Sequence, residues 1–198
     1  MTAMPMRQTE SSAPAHLLTI EEYAALEETE TGYTELLEGR LLMSPSPTPE
    51  HQKAMMVLGY QLFDQLPDHL DLIADVDVDL GLGPAEGPGF SRRPDLVVVE
   101  KAEVARRKAE GGILRAAGVL VVVEIVAPGS KRTDRVTKRG EYADAGIPHY
   151  WLLDIEDPVS LLPCHLAEEF GYQNRDEVTG TFTTDVPFPV TIDLDALQ

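Results

Sequence analysis

Two carboxylic acids in this chain stand where burial makes a charged side chain costly. Asp95 begins an apolar run over residues 96–99, and Glu124 lies inside the apolar stretch 118–126. An ionised carboxylate in a strand buried on both faces costs several kcal/mol unless a partner compensates it. If the two strands are neighbours, both acids can enter one cleft and chelate a hard divalent cation, Mg²⁺ or Mn²⁺, which prefers oxygen ligands.

Each acid also has a purely structural interpretation. Asp95 follows Pro94, a residue suited to the start of a strand, so Asp95 could instead cap a turn. Glu124 could pair with a basic side chain such as Arg135 or Lys138. For either acid alone, the residue types do not decide between a metal site and a structural role.

A lysine on the following segment is spaced to join these acids. Asp134, Lys138 and Tyr142 recur every four residues, which puts them on one face of a helix. An ammonium group beside the acids could orient and polarise a water molecule that attacks a phosphorus atom. The alternative is an exposed Asp134–Lys138 pair, which contributes about 0.3–0.5 kcal/mol to a helix.

The apolar periodicity predicts a mixed α/β core that would position these residues. Thr19 and Glu22 have capping-box spacing, and Thr48-Pro49 is typical of a helix start. Helices are predicted near residues 20–28, 49–66, 101–115 and 133–145. Strands are predicted near residues 33–37, 40–43, 71–80, 95–100, 118–126, 149–154, 159–165, 170–173 and 180–184. The order is a helix, three strands, a helix and a strand, with an N-terminal hairpin and C-terminal β additions.

The composition indicates one globular unit with an uneven charge distribution. The chain has 198 residues and a formal net charge of −18, which argues against nonspecific attraction to nucleic acid or lipid. Residues 92–139 hold 12 basic and 6 acidic residues, against 4 and 28 elsewhere, so a basic surface for a polyanion and an incidental asymmetry both stay open. Residues 1–16 are predicted to be a disordered arm and 17–198 a single domain.

The cysteine content and the hydropathy exclude several classes. Cys164 is the only cysteine, which excludes an internal disulfide and a zinc-finger site and favours a cytoplasmic protein. No apolar stretch approaches the roughly 20 residues that cross a bilayer, and the N-terminus lacks a signal-peptide core. We therefore expect no membrane association.

Several segments, taken in order, resemble one protein family. They are YTELLEGR at 33–40, MSPSPTPEHQ at 43–52, RPD at 93–95, VEIVAP at 123–128, the stretch 134–138, and Tyr142 with GIPHYWLLD at 146–154. Together these segments, from about residue 18 to 154, resemble the Uma family of restriction endonucleases. Pro94-Asp95 followed by Glu124-Ile125-Val126 resembles the signature of the wider PD-(D/E)xK nuclease superfamily.

The resemblance implies a restriction-endonuclease-like fold with a central mixed sheet flanked by helices. It also implies that Asp95 and Glu124 are metal ligands and that the backbone carbonyl of Ile125 is a third. The superfamily's lysine is expected two residues after Glu124, where this chain has Val126. Lys138 is its expected substitute, because the family pattern places a lysine on the following helix.

Two further residues are candidates for the same site. Glu35 matches an acidic position of the family in the hairpin and could approach the metal as a catalytic residue, although an exposed glutamate at a strand end is the commoner case. His51 lies on the apolar face of its helix and could join the metal site or contact a DNA phosphate. A histidine hydrogen-bonded where the helix meets the sheet is the alternative.

The sequence therefore predicts a Mg²⁺- or Mn²⁺-dependent endonuclease that hydrolyses DNA phosphodiesters. In that hypothesis six basic residues contact phosphates: Arg92, Arg93, Lys131, Arg132, Arg135 and Arg139. A noncatalytic module that binds nucleic acid or protein on a nuclease-like fold is the first alternative, because the strand lysine is missing and a fold does not guarantee chemistry. An enzyme acting on another phosphoester is the second. The resemblance also makes a homodimer the expected assembly.

Overall fold

A computed structural model describes residues 16–26, 33–44, 46–126, 133–167 and 170–198. Its α-helices are α1 (Ile20–Ala24), α2 (Pro49–Phe63), α3 (Lys101–Glu110) and α4 (Arg139–Asp144). Its strands are β1 (Tyr33–Leu37), β2 (Arg40–Ser44), β3 (Leu70–Ala74), β4 (Val78–Asp79), β5 (Ser91–Arg92), β6 (Leu96–Glu100), β7 (Leu114–Arg115), β8 (Val119–Val126), β9 (His149–Asp154), β10 (Ser160–Leu166), β11 (Tyr172–Asn174), β12 (Val178–Thr179), β13 (Thr181–Thr184) and β14 (Val190–Asp193).

The main sheet has seven strands in the order β11-β10-β9-β8-β6-β3, with β12 paired to β10. Strand β8 lies near its centre, antiparallel to β6 and parallel to β9. Leu96 stands opposite Val123 in this pairing, so Asp95 and Glu124 come to the same end of neighbouring strands. The condition under which the two acids could enter one cleft, that these two strands are neighbours, is therefore met.

Both faces of β8 are covered, which explains why its sequence is almost continuously apolar. Val121, Val123 and Ile125 point to one side, into a core shared with α2 and with Trp151. Val122 and Val126 point to the other side, into a core built around three tyrosines, Tyr142, Tyr150 and Tyr172. Glu124 is on the tyrosine side, because side chains alternate along a strand.

A second sheet brings the N-terminal hairpin to the same region. It has five strands in the order β2-β1-β5-β4-β7. The hairpin of β1 and β2 joins it where Leu36 pairs with Ser91. This pairing places Glu35, on β1, next to the segment that leads from β5 into Asp95.

The C-terminal strands β13 and β14 form a separate hairpin that packs against α2. The side chains of Gln61 and Gln65 on α2 hydrogen-bond to the backbone of Thr191 and Asp193 on β14. The aromatic ring of Phe182 meets Trp151 edge to face. The helix that carries His51 is therefore held between the main sheet and this hairpin.

Several predicted elements are confirmed and others are corrected. The capping box of Thr19 and Glu22 and the cap at Thr48 are present. The single strand predicted over 71–80 is wrong: Asp75 adopts a positive φ of 48°, which breaks the strand and sends the chain into the second sheet. The helix predicted over 101–115 ends at Glu110, because Gly111 and Gly112 adopt positive φ angles.

The helix predicted over 133–145 consists of two different parts. It starts as a π-helical turn over Thr133–Lys138 and continues as α4. The disordered arm predicted for residues 1–16 lies outside the described residues, apart from His16. In the described ranges, none of the helices has the length and hydropathy needed to span a membrane.

Candidate active site

The centre of the site is the buried carboxyl of Glu124, which is 3% exposed. Its Oε1 accepts a hydrogen bond of 3.0 Å from Lys138 Nζ and another of 2.6 Å from the Tyr142 hydroxyl. Within the described part of the chain both hydrogen bonds use Oε1, which leaves Oε2 to face another group. The structural alternative, in which Glu124 pairs with Lys138, is therefore observed. This pairing uses one of the two carboxylate oxygens.

Burial raises the pKa of Glu124 to about 8, and the charges of Asp95 and Asp134 add to the increase in pKa. Lys138 and the Tyr142 hydroxyl oppose that rise, because both stabilise the anion. Burial also lowers the pKa of Lys138, but the carboxylates of Glu124, Glu35 and Asp134 outweigh burial and raise it overall. Lys138 is therefore an ammonium ion at neutral pH.

Asp95 is held by two neighbours at the end of β6. Its Oδ2 accepts a 2.6 Å hydrogen bond from the backbone N–H of Ile125. Its Oδ1 lies 3.3 Å from Nε2 of His51, which is also 3.1 Å from the carbonyl oxygen of Ile125. Burial lowers the pKa of His51, but contacts with Asp95 and the Ile125 carbonyl raise it overall. His51 therefore meets Asp95 and the carbonyl of Ile125 at one point.

Glu35 approaches Lys138 from the hairpin. Its Oε1 lies 3.5 Å from Lys138 Nζ and accepts a 3.1 Å hydrogen bond from the backbone N–H of Arg93. Its Oε2 accepts a 2.8 Å hydrogen bond from Nη1 of Arg92. Although burial opposes ionisation, Lys138 and Arg92 hold the pKa of Glu35 below its ordinary value. Glu35 is thus a buried, ionised partner of Lys138.

The donor set fits a small divalent cation on chemical grounds. Asp95, Glu124 and the carbonyl of Ile125 supply oxygen, and Mg²⁺ commonly takes one or two carboxylates and completes its coordination with water. The charges of Asp95 and Asp134 raise the pKa of Glu124, secondary to burial, and a cation beside these acids would favour the ionised form of Glu124. In the described ranges, no three His, Cys, Asp or Glu side chains form a ready metal cluster, so backbone and water ligands are required.

Comparison with known proteins places this arrangement in a family. Residues 20–183 match the model of the Uma2 family, described as "Putative restriction endonuclease". The chain belongs to the Uma2 family. The fold is similar to the crystal structure of "a putative nuclease belonging to DUF820" from Anabaena variabilis, with a TM-score of 0.66 and 18% identity. That similarity covers 91% of this chain and 97% of the other. A search of curated proteins found no match.

The residues predicted from the sequence meet in one region of this Uma2 chain. Glu124, Lys138 and Glu35 form one chain of contacts, and Asp95, His51 and Ile125 form another. The backbone of Ile125, next to Glu124, joins the two. Their roles as metal ligands or catalytic groups stay predictions.

Sequence reasoning missed three participants. The four-residue spacing from Lys138 is the sequence signal for Tyr142, but it does not predict the hydrogen bond from the Tyr142 hydroxyl to Glu124. No local signal points to Glu141, and the alternation over 71–80 predicts a strand at Asp75. The charge of Asp95 raises the pKa of Asp75, secondary to burial, so Asp75 is a further acid near the site.

The expectation that Arg92 contacts DNA phosphates is not supported by its surroundings. Arg92 is 2% exposed and its guanidinium is already hydrogen-bonded to Glu35 and Glu141. A phosphate could reach it only by displacing those carboxylates. Lys131 and Arg132 lie outside the described residues.

Proposed function

We propose that this Uma2 protein is a Mg²⁺- or Mn²⁺-dependent endonuclease that hydrolyses DNA phosphodiester bonds. Family membership supports a nuclease function. The observation that carries the finer proposal is the contact of 3.0 Å between Lys138 Nζ and Glu124 Oε1, at the end of β8 beside Asp95. This contact puts an ammonium group beside the two acids, and it supports Lys138 as the substitute for the lysine that is missing at position 126.

Each of these residues has a distinct task in the proposed reaction. Asp95, Glu124 and the carbonyl of Ile125 would hold the cation, which neutralises charge on the phosphoryl oxygens and acidifies water. Lys138 is kept protonated by its carboxylate neighbours, so it acts as a hydrogen-bond donor rather than as a base. It orients the attacking water and stabilises negative charge that develops on the phosphate. His51 positions Asp95 and Ile125 through its Nε2 atom.

Arg93 is the residue that we propose as a contact for a DNA phosphate. It precedes Asp95 by two residues, and its side chain is 18% exposed. Its guanidinium carbon lies 4.7 Å from the centre of the Tyr33 ring, and its Nε is 3.4 Å from Asp77. Stacking on an aromatic ring fixes the guanidinium plane before DNA binds.

A plasmid-nicking assay tests this proposal. Wild-type protein and the Asp95→Asn, Glu124→Gln and Lys138→Met variants are incubated with supercoiled DNA and Mg²⁺ or Mn²⁺. The matched control is Lys101→Met, because Lys101 also faces an aspartate, Asp71, but at 3.9 Å and on the surface. We expect cleavage by the wild type and the control only. Equal inactivity of the wild type and Asp95→Asn with both metals and several DNA forms would contradict DNA hydrolysis.

One observation favours the noncatalytic alternative as the second candidate function. Glu124 and Asp95 each contact a basic side chain, Lys138 and His51, and these contacts can stabilise the two acids structurally. In a binding module these contacts would be permanent. Salt-dependent DNA binding that is unchanged in Glu124→Gln, without cleavage by the wild type, would support that alternative. Cleavage of another phosphoester would instead indicate the same chemistry on a different substrate.

A homodimer is the assembly we propose for cleavage of both DNA strands, because two copies would present two sites. Sedimentation equilibrium in the presence of DNA measures it directly. A monomer at the concentrations that cleave both strands would contradict this part of the proposal.

A further inference from the structure

Arg92 is a buried cation that joins two elements of the site without contacting the proposed ligands. Its Nη1 donates to Glu35 on β1, while its Nε and Nη2 donate to the two carboxylate oxygens of Glu141 on α4, at 2.6 and 2.8 Å. A bidentate pair of this kind fixes the orientation of both planes. Arg92 itself belongs to β5, so a single guanidinium ties three elements together.

Both carboxylates that Arg92 holds bear on the placement of Lys138. Glu35 faces Lys138 directly, at 3.5 Å. Glu141 follows Lys138 by three residues at the start of α4, so fastening Glu141 to β5 fixes the helix that carries the lysine. Lys138 therefore depends on Arg92 both for the position of its backbone and for the position of one opposing carboxylate.

We propose that Arg92 is a positioning residue that keeps the ammonium group of Lys138 against Glu124. The inference rests on the proposed function for its effect on turnover, but the geometric effect on Lys138 does not depend on catalysis. The contacts of Arg92 with Glu35 and Glu141 are the observations that support this positioning role.

The direction in which Lys138 should move when Arg92 is lost follows from the charges that surround its ammonium group. Lys138 Nζ lies within 4 Å of three carboxylates: Glu124 at 3.0 Å, Glu35 at 3.5 Å and Asp134 at 3.8 Å. Without Arg92, Glu35 loses a cationic partner, and among the described residues Lys138 and the backbone N–H of Arg93 are left to stabilise its buried charge. The flexible lysine should then shift toward Glu35 and away from Glu124.

Spectroscopy of the lysine ammonium groups tests the geometric effect without any cleavage. The chain has five lysines, so a sample with isotope-labelled lysine gives few NMR signals, and Lys138→Arg assigns the one that belongs to Lys138. We expect Arg92→Gln to shift or broaden that signal. The control is Arg106→Gln, because Arg106 is also paired with two glutamates, Glu103 and Glu110, on α3.

The kinetic test separates positioning from substrate binding. We expect Arg92→Gln to lower kcat on the order of 10–100-fold, the usual effect of losing a supporting hydrogen-bond partner, with little change in KM for DNA. Glu35→Gln combined with Arg92→Gln should lose less than the sum of the single losses, because part of the effect of Arg92 acts through the carboxylate of Glu35. Arg92→Lys should restore part of kcat, since it returns the charge but not the bidentate contact.

The outcomes are distinguishable from failure of the proposed function. If neither the wild type nor any variant cleaves DNA, the endonuclease proposal fails. The NMR comparison still decides the role of Arg92 in that case. If Arg92→Gln does not fold, the same comparison is made with Arg92→Lys, whose melting temperature confirms folding. A Lys138 signal unchanged in the folded Arg92 variant would overturn the positioning role, and so would equal disturbance of that signal in Arg106→Gln.

Discussion

Lys138 reaches Glu124 from the helix that follows β8, with 3.0 Å between Nζ and Oε1 although 14 residues separate the two positions. The position at which the resemblance to PD-(D/E)xK nucleases predicts a lysine, two residues after Glu124, is occupied by Val126, which is 2% exposed and packed among apolar side chains. A lysine there would have to bury its stem in that core. In this chain the ammonium group instead comes from the segment that follows β8, on the sheet face that Glu124 shares with Tyr142.

The π-helical turn over Thr133–Lys138 places this lysine beside Glu124. A π-helical turn is wider than an α-helical one, and such turns occur frequently at functional sites. Lys138 is its last residue, and Tyr142 follows one turn later on α4. As a result the ammonium and the phenol meet on the same oxygen of Glu124.

The first prediction concerns the stability cost of Glu124. Burial raises its pKa from 4.5 to about 8, so the native state loses stability as the pH rises through that range and the group must ionise. Glu124→Gln removes that loss, and Lys138 keeps Glu35 and Asp134 as partners. With EDTA present, we expect the variant to melt at about the wild-type temperature at acidic pH and several degrees higher at alkaline pH.

Thermal melting of both proteins across the pH series measures this difference. A stabilisation of 1 kcal/mol corresponds to roughly 2–4 °C in a domain of this size. The control is Glu100→Gln, at an exposed position at the end of β6. A gap between Glu124→Gln and wild type that does not widen with pH would show that the carboxylate is not penalised by burial.

Much of the site could be predicted because it depends on local patterns. An acid inside an apolar strand is conspicuous, and two successive apolar runs are compatible with the pairing of β6 with β8 that the structure shows. Lys138 and Tyr142 are four residues apart, and both side chains contact Glu124 although the chain changes from π-helical to α-helical geometry between them. The spacing of its apolar neighbours correctly predicts that His51 lies on the buried face of α2.

The rest could not be predicted because it depends on long-range geometry. Nothing in the alternation over 71–80 reveals that Asp75 adopts a positive φ and splits the strand between two sheets. Arg92 and Arg93 are adjacent basic residues with identical local signals, yet one is buried between two glutamates and the other stacks on Tyr33. Only the docking of the hairpin against β5 separates them.

The second prediction exploits that difference between neighbouring arginines. In a Glu124→Gln background, chosen to prevent the cleavage that we propose, we expect Arg93→Met to weaken DNA binding on the order of tenfold. The slope of log affinity against log salt should fall by about 1, as for the loss of one phosphate contact. Fluorescence anisotropy with a labelled duplex over a salt series measures both quantities.

Arg115→Met is the control for this experiment, because Arg115 is 57% exposed and lies on β7. It should leave the salt slope unchanged. If Arg93→Met and Arg115→Met weaken binding equally, the effect is one of net charge, and Arg93 has no specific contact with a phosphate.

The third prediction concerns the hydrogen bond from Tyr142 to Glu124. The Tyr142 hydroxyl lowers the pKa of Glu124, against the larger effect of burial, so Tyr142→Phe should raise that pKa further. A proton then competes better with a cation for the carboxylate. We expect the affinity for Mn²⁺ to fall on the order of 10–100-fold, and the pH at which binding is half complete to increase.

Calorimetric titration with Mn²⁺ at several pH values measures this competition. Tyr172→Phe is a matched control, because its hydroxyl donates to the backbone carbonyl of Ile147 and its ring stacks in the same tyrosine cluster. It removes one buried hydroxyl from that cluster without touching Glu124. Equal losses of Mn²⁺ affinity in the two variants would mean that general loosening of the core, rather than the proton on Glu124, governs metal binding.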